Sequence, residues 1–286
     1  MANLFQALEE TAARGAAGLA AEARATLGAA LRALQRPDGG FAGLDGRSDP
    51  YYTLFAWLNL RALGVAYERG PLCAYMAAHR HDAHPIGARC AALVLAREGQ
   101  PPRAAWLGLA AALVRGDTRA VYGAFLLMLA TGDVPRWAAG LAWRRQGRPF
   151  AAGADERLPT PRLAAGLALA ALAGERGTEI VPVLLSRRCA GGGFASAPGV
   201  AADLLATAVA RFACAFGSTE SRPPQAAGGQ RQGSVLESRT RADLAFIEAC
   251  WLDDGLFGAS PAAPHGDAEH TFYGLLALGT CRPAYS

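Results

Sequence analysis

The chain contains no lysine, so every side chain that is positive at neutral pH is an arginine. Its net charge of +4 is spread along the sequence, with no polybasic block of the kind that binds nucleic acid or an anionic membrane surface. None of the six cysteines, at 73, 90, 189, 214, 250 and 281, forms a CxxC pair, and most lie inside apolar runs. That spacing excludes a zinc ribbon and a dithiol redox motif, and it predicts buried free thiols in a reducing compartment. Residues 1–15 carry acids and lack a basic leader, so they do not read as a secretory signal. No uncharged apolar run approaches the ~18–20 residues of a membrane span. These absences predict a cytoplasmic protein with no membrane span and no nucleic-acid partner. The alternation of Val, Ile and Thr that marks a half-buried strand is also nearly missing.

What remains is helical in character. The apolar share is 52 %, dominated by alanine, which has the highest helix propensity. One stretch, Phe246 to Thr280, shows the organisation of the whole. An apolar helix leads to a glycine loop with an aromatic pivot, Gly255-Leu256-Phe257-Gly258. A polar elbow follows, Gly266-Asp267-Ala268-Glu269-His270, and opens a second apolar helix. Asp267 is placed to cap that helix, because its carboxylate can accept free first-turn amides. The same order recurs at Gly39-Gly40-Phe41 with Asp49, and at Gly191-Gly192-Gly193-Phe194 with Asp203. Further helix pairs are expected around the elbows HRHDAHP (79–85) and RGDT (115–118), and before the helix LAAGLALAALAG. A single helix pair cannot bury its apolar stripe, so neighbours must stack. About six pairs of ~40 residues predict one all-α domain over 1–286, an α6/α6 toroid with the Asp-capped elbows at one mouth. The Ser-, Gly-, Pro- and Gln-rich segment 217–235 breaks the pattern and reads as a flexible insertion.

The stretch RPDGGFAGLDG…DPYYTLFAWLNLRALG resembles the repeat shared by protein prenyltransferase β subunits and squalene-type cyclases. Asp117-Thr118-Arg119-Ala120-Val121-Tyr122-Gly123-Ala124 is similar to one prenyltransferase elbow. Asp267-Ala268-Glu269-His270-Thr271-Phe272-Tyr273-Gly274 is similar to another, whose His is a zinc ligand. The resemblance covers about residues 25–280. It implies an apolar central cavity for an isoprenoid tail, with zinc and diphosphate at the mouth and a helical partner subunit alongside. Three departures stand out. Asp203 matches the Asp of the family's D-x-C ligand pair, but the Cys position is Leu205. The diphosphate-contacting His falls near Leu158 or Pro159. The cyclase acid motif D-x-D-D is absent, and Asp253-Asp254 lies in a repeat loop.

The resemblance makes Asp203, His270 and Arg119 the candidate catalytic residues, with Asp203 and His270 as metal ligands. Each also has a plainer structural role: Asp203 as an N-cap, His270 as a first-turn hydrogen-bond partner, Arg119 as the counter-charge of Asp117. His81 and His84, within the histidine-rich elbow at 79–84, are further candidate metal ligands, since imidazole suits several transition metals; the plain reading is a solvated loop. Arg47 and Arg80 are candidate phosphate contacts, or simply surface arginines. Tyr52, Phe55, Tyr122, Phe272 and Tyr273 are candidate wall residues, because aromatic faces suit a polyisoprenoid and a carbocation; in a solid core they would be ordinary packing. Three functions are therefore expected: an isoprenoid-binding, prenyltransferase-like enzyme with an incomplete zinc site; a non-catalytic toroid that binds a lipid or a protein partner, including a second copy; or a terpene-cyclase-like enzyme using another acid.

Overall fold

The computed structural model describes residues 4–82, 85–100, 140, 143–144, 157–175, 177–218 and 230–281. Helices dominate. In chain order they are α1 (Leu4–Ala17), α2 (Ala21–Ala33), α3 (Pro50–Leu63), α4 (Arg69–His79), α5 (Pro85–Arg97), α6 (Thr160–Ala173), α7 (Ile180–Ser186), α8 (Leu204–Ser218), α9 (Gln230–Ala249) and α10 (Ala268–Cys281). The only ladder named among the described residues is a two-residue antiparallel hairpin, β1 (Phe194–Ala195) and β2 (Ala202–Asp203), with Phe194 opposite Asp203. The all-α expectation holds apart from that loop pairing. The segment expected to be an insertion at 217–235 has helix at both edges, since α8 runs to Ser218 and α9 starts at Gln230.

The helix starts follow their caps. Asp49 accepts from the amides of Tyr51 at 2.7 Å and Tyr52 at 3.2 Å, and Pro50 occupies the first turn, where its missing N–H costs nothing. Asp203 accepts from Ala206 N at 2.7 Å, and Asp267 from His270 N at 2.8 Å. At the far end, α3 and α6 stop at Gly64 and Gly174, both left-handed.

The three glycine loops share one hydrogen-bond pattern. The amides of Phe41, Phe194 and Phe257 donate to the hydroxyls of Thr53, Thr207 and Thr271 at 2.9, 2.9 and 3.1 Å. Each threonine lies four residues beyond its capping Asp and is fully buried. Each phenylalanine also bridges back to the end of the preceding segment, at Gln35, Arg188 and Trp251. The loop is thereby fastened to the helix it introduces, and its ring is buried beneath it.

The helices pack in two layers. In one, α5, α3, α10, α8 and α6 follow each other as neighbours. In the other, α4 lies on α5, α2 on α3, α9 on α10 and α7 on α6. Helix α1 packs on both α10 and α3. It comes unusually close to α10: a methyl on Gly279 would meet Thr11 O at 1.8 Å, and one on Gly15 would meet Leu275 O at 1.9 Å. Glu9 of α1 pairs with Arg61 of α3 and Arg97 of α5. No described helix is long and apolar enough to cross a membrane.

Candidate functional site

The first turns of α3 and α10 converge, and the capping residue of α8 stands within electrostatic range of them. Asp267 forms two contacts with one neighbour: Oδ1 accepts from the His270 amide, and Oδ2 lies 2.7 Å from His270 Nδ1. One residue along, Glu269 Oε1 accepts from the Tyr51 hydroxyl of α3 at 2.5 Å. Donor atoms of Asp267, Glu269 and His270 all lie within 4.8 Å of one another, the one such group among the described residues. All three are half-buried.

Burial and charge set their protonation. Burial raises the Glu269 carboxyl above its ordinary 4.5, and Asp267 adds to this, while the Tyr51 hydrogen bond and His270 act against it. Burial by itself would lower His270, but the hydrogen bond and charge of Asp267, with Glu269 and Asp203, outweigh it and raise the imidazole above 6.5. Tyr52 is pushed up to about 12, first by burial and then by Asp267, Glu269 and Asp49. The carboxylates gathered at the first turns of α3 and α10 thus help Glu269, His270 and Tyr52 to retain their protons.

An aromatic patch continues directly from this polar group. Tyr51 and Phe55 meet edge-on at 4.9 Å between ring centroids, and Phe55 lies 5.7 Å from Phe272 and 5.6 Å from Tyr273. Tyr52 joins through Tyr51 at 5.6 Å. Of the expected wall residues, Tyr52, Phe55, Phe272 and Tyr273 therefore come together across the α3–α10 contact.

The remaining candidates fall elsewhere. Asp203 stands near enough to influence His270 but outside the three-donor group, with Oδ1 engaged by the Ala206 amide. Leu205 is half-buried in the first turn of α8 and supplies no donor. Arg47 is exposed on the loop after Phe41, where its amide donates to Asp45 Oδ1. Arg80 and His81 are exposed at the end of α4, and Arg80 Nε donates to His81 Nε2 at 3.0 Å. Arg119, Tyr122 and His84 lie outside the described residues.

Sequence reading passed over Glu269 and the polar role of Tyr51. The elbow motif drew attention to His270, whereas Glu269 is significant only because α3 brings a phenol to it from 218 positions away. The threonines were readable: the spacing D-x-x-x-T recurs at Asp49–Thr53, Asp203–Thr207 and Asp267–Thr271.

The donor set also bears on the metal that the resemblance implies. Without a thiolate at Leu205 the residues do not form a sulfur-ligated zinc centre. Two carboxylates and one imidazole match an oxygen- and nitrogen-ligated divalent ion, with His270 Nδ1 and Asp267 Oδ2 engaged with each other and Glu269 Oε1 with Tyr51. No family model matches this chain, and no curated protein matches it.

Proposed function

We propose that this chain is a closed α6/α6 toroid that binds an isoprenoid diphosphate and transfers its prenyl group. The observation that carries this reading is the continuity of the aromatic patch with the Asp267–Glu269–His270 group. An apolar tail would lie against the half-buried rings of Tyr51, Tyr52 and Tyr273, backed by the core rings Phe55 and Phe272, and the polar end would sit at the first turns of α3 and α10. Burying a hydrocarbon chain against such rings is favourable by roughly 25 cal/mol per Å². The rings also offer their negative faces to positive charge developing at an allylic carbon.

Charge decides what else is needed. Asp203, Asp267 and Glu269 would repel a diphosphate, so Asp267, Glu269 and His270 would hold a divalent ion that offsets their charge and screens the leaving group. The chain's own residues then orient the substrate: the patch aligns the tail, and the Tyr51–Glu269 hydrogen bond keeps the Glu269 carboxyl facing the mouth. Calorimetric titration with farnesyl diphosphate tests this. Binding that requires a divalent ion, disappears on chelation and weakens about tenfold in Phe55→Ala is the expected result; no binding in any metal would defeat it. A tenfold loss corresponds to about 1.4 kcal/mol, modest for removing one aromatic contact.

A terpene-cyclase-like reading is favoured by a separate observation, the raised Glu269 carboxyl beside the same rings. There the carboxyl gives its proton to a terminal alkene carbon, whose π pair becomes the new C–H bond. The neighbouring cation is attacked by the next alkene and finally loses a proton to water. Metal-independent turnover of a neutral polyprene, abolished in Glu269→Gln, would select this reading. Binding of the polyprene without turnover would mark a non-catalytic lipid carrier.

A further inference from the structure

Asn59 is a buried polar residue that the site as described leaves unused. It lies in the body of α3 with none of its surface exposed, between Leu58 and Leu60 and two residues from the buried Trp57. Its Nδ2 donates to Ala268 O at 2.8 Å, while its Oδ1 is buried without a hydrogen-bond partner among the described residues. An unpartnered buried carbonyl oxygen is a net cost to folding, and such groups are rare enough in native structures to require a reason. Leucine has the same branched heavy-atom skeleton with no orphaned acceptor, so stability alone does not account for an amide here.

The partner suggests the reason. Ala268 is the first residue of α10 and immediately precedes Glu269 and His270. A helix's first-turn residues have few intrahelical bonds to steady them. Here the turn is fastened from three sides. Asp267 caps it from within, the Thr271 hydroxyl ties it to the Phe257 loop, and Asn59 grips the Ala268 carbonyl from α3. The Tyr51–Glu269 hydrogen bond is a second link between α3 and α10, but it depends on the protonation of Glu269. The amide link does not titrate.

We propose that Asn59 is a positioning residue: by fixing the Ala268 carbonyl it sets the first turn of α10 so that Glu269 meets Tyr51 and His270 meets Asp267. It acts through the turn and touches neither carboxylate nor imidazole. The groups that face His270 from the packed elements are Asp267 and Glu269 of its own turn and Asp203 at the start of α8.

The test is NMR at fixed pH on full-length protein with labelled histidine. It reads the His270 Nδ1 shift, which reports the contact with Asp267, and amide exchange for residues 268–271. His270 is assigned by the signal missing in His270→Gln. In Asn59→Leu the helix content is expected to be retained. The first-turn amides should exchange about tenfold or more faster, and the His270 Nδ1 signal should move toward that of a free imidazole as its contact with Asp267 loosens. Asn59→Ala removes the donor without adding a charge and provides the same readout should the leucine variant fail to fold. An Nδ1 signal and first-turn exchange that superimpose on wild type in a folded variant would overturn the proposal.

Discussion

At the residue scale, the governing fact is that Glu269 and His270 both hold their protons more tightly in the folded protein than in an unfolded chain. Both shifts have the same sign for stability. Each contribution is complete below the group's ordinary value, near 4.5 for the carboxyl and 6.5 for the imidazole, and is lost as pH rises through the raised folded value. Stability should therefore decline with rising pH in two steps. Urea midpoints measured across pH should show the first step absent in Glu269→Gln and the second absent in His270→Gln. The threonine anchors make a second residue-scale case. Thr271→Val keeps the shape but strands the buried Phe257 amide, at a cost of about 1–3 kcal/mol. Thr271→Ser, which retains the hydroxyl, should recover most of that loss in the same denaturation measurement.

At the element scale, the contact between α1 and α10 is the least tolerant. Backbone lies against backbone where Gly279 faces Thr11 O, and a methyl there would sit 1.8 Å from the carbonyl oxygen. Neither partner is a flexible side chain, so the helices must separate. Gly279→Ala should cost roughly 3 kcal/mol or more in thermal unfolding, with α1 amides exchanging early. The third loop provides another element-level case. Asp38 and Asp254 steady their loops by accepting from Gly40 N and Leu256 N. The corresponding position before Phe194 is Gly191, which has no side chain to do so. Asp243 of α9 accepts from Gly193 N at 2.9 Å instead. It is fully buried and also pairs with Arg188 and Arg211, and Arg211 bonds in turn to Thr280 of α10. Removing the charge takes a fully buried carboxylate away from two largely buried arginines. Asp243→Asn is expected to lose about 3–5 kcal/mol, visible as a lowered urea midpoint, with the loop at 189–194 loosened first.

At the scale of the whole molecule, the two-layer order of helices follows from local signals repeated along the chain. A capping Asp, a preceding glycine loop and an apolar helix each work over a few residues, and the same chemistry recurs at 49, 203 and 267. That is why the helices and their boundaries were legible. The Asp267–Glu269–His270 group was only half legible. His270 was marked by its motif, yet its carboxylate partner is Asp267 of its own turn, with Glu269 beside it, rather than Asp203. That Tyr51 reaches Glu269 depends on how far one helix is displaced along another, and no local pattern encodes that displacement.

The order of residues alone determined the helical character and the capped elbows, because propensity and capping act between near neighbours. Only the tertiary structure decided that Tyr51 meets Glu269, that Asn59 holds Ala268 and that Asp243 stands in for a missing loop aspartate. Each of those contacts joins positions far apart in the chain, and its existence depends on how helices settle against one another once their apolar faces are buried.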